Sequence, residues 1–424
     1  MNIWLIHHYA NPPHEPGDAR HHSHARELIR RGHHVRLVAC NFHHLSHQYM
    51  PMAPGCLWEH QVFEGVPYTL ITACHYQDNS TRRIRNMFEF ALRTWKRDWT
   101  AELPPPDLIL GSSPHPFAAL AAEQLAVHYG VPFVLEIRDL WPYVLTEVGG
   151  HSKYHPFVQL VDKTMRHLYA RAKRIVMFSR DSTDLLVRYG ADPGRVIWIP
   201  HGVDLSLNPE PSSPPADAQF TVTYLGAHNQ WNSLDKILDA AKLLPRAPNV
   251  LIRFVGDGLC KPALVERARV EGIRNVRFDP PVPKKQVRDI LHSSDAFILN
   301  NRKDGASERW MSFNKVYDYL AAGRPIVFGS CTGNDPVRDA GAGISVEADN
   351  PAELSRAIGL LARSSPEQLH EYGRRGRKYI EKNYSISLLV NRFEEMASEL
   401  TGQPSRTSAS FASAPDSVPT LNES

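Results

Sequence analysis

Short apolar runs and longer amphipathic runs take turns along this chain. The run NIWLIHH near the start reads as a strand by its apolar continuity. DARHHSHARELIRRG, residues 18–32, has helical spacing and closes on a glycine. HVRLVAC then reads as a second strand. The alternation continues through DLILGSS, the helix FAALAAEQLAVHYG, the strand PFVLEIRD, a basic helix around 154–172, the strand RIVMFS and a helix ending at Gly190. Gly32, Gly130 and Gly190 stand where helix C-termini place glycine. Strands alternating with helices predict parallel sheets with right-handed crossovers.

Around 200–218 the periodicity stops, and PHGVDLSLNPEPSSPPADAQ is rich in Pro, Ser and Asp. This texture predicts an interdomain linker. Alternation then restarts with FTVTYLG, a helix over 233–244, VLIRFVGDG, a helix over 261–271, VRFDPP, a helix over 284–293 and AFILNN. FNKVYDYLAAG, PIVFGS, GISVE and helices over 351–363 and 366–400 complete the pattern. The reading is α/β, with two doubly wound, Rossmann-like parallel-sheet domains facing across a cleft. Its divisions are 1–202, a linker over 203–218, 219–382, a helix over 383–402 packing back on the first domain, and a disordered tail over 403–424. Ligands of such sheets bind at the carboxyl ends of the strands.

The chain's 424 residues, 42% hydrophobic and 22% charged, suit two globular domains with real cores. A formal net charge of +3 is too small to point to nucleic acid. The five cysteines are scattered and odd in number, which suggests reduced thiols in a cytoplasmic setting. The opening residues read as a buried strand rather than a signal peptide. No stretch approaches the roughly 18 apolar residues of a membrane-spanning helix, so membrane contact is expected to be peripheral.

The stretch FNKVYDYLAAGRPIVFGS, residues 313–330, carries candidate chemistry. On a helix, Val316, Tyr317 and Leu320 share a side with Phe313 and face the sheet, while Lys315 and Asp318 are neighbours on the other side. A solvated ion pair is one reading. The other is a ligand site: a helix N-terminus and an ammonium attract phosphate, and an acid one turn on accepts sugar hydroxyls. Gly256 and Gly258 in FVGDG mark a tight turn between strand and helix, a weak signal alone. His115 follows a strand in GSSPHPF; Arg138 and Asp139 end another in EIRDLWP. The latter two read as an internal ion pair or as acceptor-binding groups.

KVYDYLAAGRPIV resembles the nucleotide-sugar motif of retaining glycosyltransferases of family 4, which have the GT-B fold. FSRDSTDLLVRYGADPGRVIWIPHGVD, LIRFVGDGLCKPAL, NVRFDPPVPKKQVRDILHSSDAFIL and AGAGISVEADNPAELSRAI resemble other parts of that family, so the resemblance covers roughly residues 1–400. VLEIRDLWP and RHHSHARELIRRGHHV are closest to the branch that builds O-antigen and capsule-type surface polysaccharides. The resemblance implies sugar transfer, with retention, from a nucleoside diphosphate sugar, UDP-linked, to a saccharide or polyprenyl-linked saccharide. A non-hydrolysing 2-epimerase and a non-catalytic nucleotide-sugar-binding subunit are the alternatives.

Residue by residue, Asp318 matches the second acid of the family pattern, which holds the ribose. The first acid falls on Trp310, a departure for which Glu308 is the nearest substitute. Many members carry an Arg/Lys pair after the first donor-domain strand; here LGAHNQWNSLDK has Gly226 and Ala227 but no arginine. Lys315, Arg302 and Lys303 are the available cations, with Lys315 backed by Arg302 assigned to the diphosphate. Gly256 and Gly258 then lie beside base and phosphates, the segment around Val282 reads the base, and His115 contacts the donor sugar. Gly17 and Asp18 approach the phosphate or acceptor.

No cofactor and no metal are expected. His21, His22 and His24 have helical spacing that suits a transition metal, but no carboxylate joins them, and no Asp-x-Asp occurs. Residues 80–99, STRRIRNMFEFALRTWKRDW, mix arginine and lysine with Phe88, Phe90, Trp95 and Trp99. They suit an anionic membrane surface, such as the cytoplasmic face of an inner membrane, or equally a helix packed with its basic face in water.

Overall fold

The computed structural model describes residues 1–15, 19–77, 81–178, 183–205, 219–303, 314–331 and 333–404. Gly17, Asp18, Glu308 and Trp310, most of the 203–218 linker and the tail beyond 404 lie outside the described residues.

The apolar runs of the first half pair into one sheet. Its strands are β1 (Asn2–Ile6), β2 (His34–Cys40), β3 (Trp58–Phe63), β4 (Val66–Ile71), β5 (Leu108–Ser112), β6 (Phe133–Ile137), β7 (Arg174–Met177) and β8 (Val196–Trp198). Their order is β3-β4-β2-β1-β5-β6-β7-β8. Only β3 runs antiparallel, in a hairpin with β4 that pairs Trp58 with Ile71 and Phe63 with Val66. The second half gives β9 (Phe220–Leu225), β10 (Val250–Val255), β11 (Val276–Asp279), β12 (Ala296–Asn300), β13 (Ile326–Ser330) and β14 (Gly343–Glu347). Their order is β11-β10-β9-β12-β13-β14, parallel throughout. Every residue of β5, β6, β12 and β13 is buried, as expected of parallel strands covered on both faces.

In each sheet the strand order reverses once, at β1 beside β5 and at β9 beside β12. The crevice outside the carboxyl ends at such a reversal is where doubly wound sheets bind ligands. Both candidate sites are built there.

Two helices stand where the sequence pattern predicts one over 366–400. Pro366–Asn383 and Ile386–Thr401 are separated by Tyr384 and by Ser385, whose side chain caps the second helix. The break has a tertiary cause. The Tyr384 ring packs on Tyr317 (4.6 Å) and Trp198 (5.9 Å), and Val203 exchanges backbone hydrogen bonds with Tyr384 and Ile386. Ile386–Thr401 then buries Leu389, Val390, Phe393 and Met396 in one core with Ile3, Leu5 and Val35 of the first sheet. Buried Glu394 anchors it to Arg31 and to His33 Nε2 (2.6 Å).

The basic and aromatic segment forms the helix Thr81–Lys96. Its aromatic residues divide: Phe90 and Trp99 are buried, whereas Phe88 and Trp95 are exposed. The basic residues divide as well. Arg83 lies over the Tyr76 ring (6.0 Å), Arg93 donates to Thr72 O, and Arg85 pairs with Glu89.

Candidate functional site

At the β9/β12 reversal the chain passes from Leu225 into Gly226 and a short turn over Gln230–Asn232. Lys315, in the first turn of the helix Asn314–Ala321, reaches across the end of β9. Its Nζ donates to Tyr224 Oη (2.9 Å) and Asn232 Oδ1 (3.3 Å) and lies 5.0 Å from the Tyr224 ring centre. Tyr224 Oη donates in turn to Ala227 O (2.7 Å), which leaves the phenol oxygen to accept from the ammonium. Burial pulls the ammonium down to about 8.

Gly226 is required by this geometry. Its φ is +149°, and a Cβ there would lie less than 3.0 Å from Lys315 Cε and Nζ. Gly256, φ +137°, packs its missing side chain's position onto Gly226 O, so two glycines let two strand ends approach under the lysine. Lys261 Nζ ties the neighbouring ends together, donating to Gly256 O (2.6 Å) and Asp279 O (2.7 Å). The site so far is a lysine held by neutral oxygens over a glycine-built floor. Among the described residues it donates to two oxygens, and its charge favours an anion.

The β1/β5 reversal is built differently. His115 ends the loop after β5 and caps the helix Pro116–Tyr129, its Nδ1 accepting from Ala118 N (3.4 Å). The ring proton therefore sits on Nε2 and is donated to His8 Nδ1, 2.6 Å away. Burial, and then Arg83, bring His115 down to about 3; burial and His115 also hold His8 well below its usual range. Both rings are buried and neutral. Behind them, buried Glu136 accepts from His21 Nε2 (2.6 Å) and Ser112 Oγ (2.6 Å), with Arg20 Nε at 3.5 Å. Burial pushes this carboxyl up, but His21, Arg20 and Arg138 together hold it well below the usual carboxylate range. Beyond β6, burial raises Asp139 to about 6 against Arg138 and Arg83, and the Arg138 guanidinium lies over the Phe178 ring (4.7 Å). This edge combines a neutral histidine pair with Arg138 beside Asp139 and aromatic rings, and suits hydroxyl-bearing molecules.

Residues 21–207 match the Glycosyltransferase Family 4 model and residues 219–364 the Glycosyl transferases group 1 model. The chain belongs to the GT-B glycosyltransferases. The D-inositol 3-phosphate glycosyltransferase of Salinispora tropica is 26% identical over 260 residues, covering 55% of this chain and 52% of that protein. The chain thus spans about half the length of the curated relatives it matches. Sucrose-phosphate synthase from Thermosynechococcus elongatus shares the fold with a TM-score of 0.73 at 14% identity, over 95% of this chain and 100% of that one. Anabaena HepE, solved with UDP-glucose, superposes with a TM-score of 0.63 at 14% identity, over 94% and 100% of the two chains. The curated relatives are named for an inositol phosphate rather than for a surface polysaccharide.

Among the described residues of this GT-B chain, Lys315, Gly226, Gly256 and Gly258 gather at the β9/β12 reversal. Arg302 stands beside them, its N–H donating to Trp231 O (3.1 Å) in the turn that supplies Asn232. Asp318 is half-buried one helical turn from Lys315, and Val282 is half-buried in the loop beyond β11. Lys303 is held elsewhere, its Nζ on Glu347 (2.5 Å). His115 does not offer a nitrogen outward, because both are engaged within the first domain. His21, His22 and His24 are buried, with His21 on Glu136 and His22 on Tyr68. Among the described residues no cluster of three metal-type side chains occurs.

Tyr224, Asn232 and Glu136 were not singled out by pattern. Tyr224 reads as one more core position of a strand. Glu136 did leave a signal, a lone acid inside the apolar run VLEI.

Proposed function

We propose that this chain transfers a sugar, with retained configuration, from a nucleoside diphosphate sugar to a hydroxyl of a saccharide or lipid-linked saccharide. One observation carries the reading. The Lys315 ammonium is half-buried at the donor-domain reversal, and among the described residues its hydrogen-bond partners are neutral oxygens, so an incoming diphosphate supplies a charge to match it. HepE's complex with UDP-glucose supports UDP as the nucleotide. Lys315, backed by Arg302, stabilises the leaving diphosphate, and Asp318 accepts from the ribose. The neutral His8–His115 edge and Arg138 with Asp139 receive the acceptor. Attack comes from the leaving-group side, and the departing phosphate oxygen takes the acceptor proton, so no carboxylate pair of the glycosidase kind is needed. The reaction uses no metal and proceeds in EDTA.

The setting is surface-polysaccharide synthesis at the cytoplasmic face of a membrane. The names of the curated relatives favour a second acceptor, a phosphorylated cyclitol. The deciding experiment is a thermal-shift screen of nucleotide sugars, followed by product analysis with both acceptor classes. A donor at 100-fold its dissociation constant stabilises by about 2.7 kcal/mol. Transfer to either acceptor identifies it. Conversion of donor without acceptor would show an epimerase, and binding without turnover a non-catalytic subunit. No stabilisation by any nucleotide sugar would remove the proposal.

A further inference from the structure

His228 is the second residue after Gly226, and its ring is fully enclosed. Neither ring nitrogen has a hydrogen-bond partner among the described residues. The ring lies near Tyr224 of β9, Phe254 of β10 and Phe278 of β11, with centres 5.9, 6.3 and 6.4 Å away. The charged groups that face it are Lys261 from the helix Lys261–Val270, Lys315 from Asn314–Ala321, and Asp257 from the turn after β10. Its backbone is fixed on both sides: N–H donates to Asp257 O (2.8 Å), and C=O accepts from Cys260 N (3.0 Å). Gly258 packs directly on that backbone, leaving no room for a Cβ.

A histidine beside two lysines is an unfavourable place for a third positive charge. Burial first, then Lys261, brings its imidazole down to about 4, with Lys315 adding to the effect and Asp257 opposing it. A diphosphate at Lys315 reverses the field that the ring feels.

We propose that His228 is a positioning residue of the donor site: a nucleoside diphosphate held at Lys315 draws one proton from solvent onto the ring, and the imidazolium completes the cationic lining. The inference rests on the proposed donor. It explains how residues 226–233, which contain no lysine or arginine, take part in holding an anion. The proton is returned to solvent when the nucleotide leaves.

The test is calorimetric titration of the full chain with UDP at pH 5.5, 6.5 and 7.5, each in two buffers of different ionisation heat. Wild type is compared with His228→Gln and His228→Asn. UDP's own terminal phosphate titrates alike in all three. Wild type should gain about three- to tenfold more affinity than the variants between pH 7.5 and 5.5, with a larger proton uptake per UDP bound. Equal pH slopes and equal proton counts would overturn the inference and leave the donor reading intact. If the variants do not fold, wild type with isotope-labelled histidine decides: the His228 signal should move to its imidazolium position when UDP is added at pH 6, and a static signal overturns the inference. Wild type that binds no UDP at any pH would remove the donor reading itself, and this inference with it.

Discussion

Two strand-order reversals, one per domain, share a topology and are furnished in opposite ways. At β9/β12 two glycines bring strand ends together beneath a lysine whose hydrogen-bond partners, among the described residues, are neutral oxygens. At β1/β5 the buried carboxylate of Glu136 lies among Arg20, His21 and Arg138, and beside it two neutral, buried histidines are hydrogen-bonded to each other. The first arrangement leaves positive charge for a ligand to satisfy. The second pairs its carboxylates with its own arginines and buries a neutral histidine pair among rings. A transfer reaction with an anionic leaving group and a hydroxyl acceptor calls for this division.

The sharpest way to break the comparison is to remove the lysine. Lys315→Ala should lower turnover by about 100- to 1,000-fold, the usual loss when one preorganised group at a developing anion is deleted. The effect should be mirrored by pH. The free amine is set at about 8, so affinity for UDP should weaken above that pH, approaching tenfold per unit, and Lys315→Ala should show no such limb. Near-normal turnover, or a flat affinity to pH 9.5, would mean that the anion is held elsewhere.

The next largest effect tests internal cancellation in the first domain. Glu136→Ala leaves Arg20 and His21 buried without their carboxylate, and should cost about 3–5 kcal/mol of stability. Urea unfolding measures it. A cost below about 1 kcal/mol would show that the network is not the anchor of that edge.

How far these contrasts were legible in the sequence depends on the range of the interaction involved. Alternating runs announced parallel sheets because every residue of strands such as β5 and β12 is buried. The β3–β4 hairpin escaped, since WEHQVF and VPYTLI lack the strong apolar continuity of their neighbours. The pattern over 366–400 reads as one helix even though the domain division falls at 382/383, because the break at Tyr384 and Ser385 is caused by ring packing on Tyr317 and Trp198, far away in sequence. Lys315 was readable from its place after a strand, but Tyr224 and Asn232 meet it from 91 and 83 residues away. His115 was found by position, yet its role turns on His8, 107 residues earlier.

Acid should separate the two domains by a smaller amount. Burial holds His8 and His24 well below their usual range, His44 at about 4 and His115 at about 3. All four belong to the first domain. Unfolded, each takes a proton below about pH 6.5. The unfolded state therefore binds more protons, and stability falls as pH drops from about 6.5, by at most about 1.4 kcal/mol per unit for each histidine. Glu136 adds to the loss only below the ordinary carboxylate range, because its native pKa is depressed. The second domain carries fewer such groups, chiefly His228 and His292. Proteolytic mapping during urea unfolding at pH 7.5 and pH 5.0 should show the first domain opening earlier at the lower pH. Equal shifts in both domains would erase this part of the contrast.

The smallest effect concerns the outer face of Thr81–Lys96. Phe88, Leu92 and Trp95 are 41%, 51% and 50% exposed, at spacings that align them on one stripe, with Arg82, Arg85 and Lys96 also exposed on the helix. Arg85 already pairs with Glu89, so its pull on an anionic surface is reduced. Basic residues near such a surface contribute about 1 kcal/mol each. Phe88 also stacks on the Phe117 ring (4.2 Å), so the test spares it: replacing Leu92 and Trp95 by serine should reduce co-sedimentation with phosphatidylglycerol vesicles several-fold. Turnover on a water-soluble acceptor should change by less than about twofold, because Phe88 and the inward face, with Asn86, Met87 and Phe90, are untouched. Unchanged vesicle binding would assign the stripe to solvent and leave the helix a role only through the side it turns toward the neutral site.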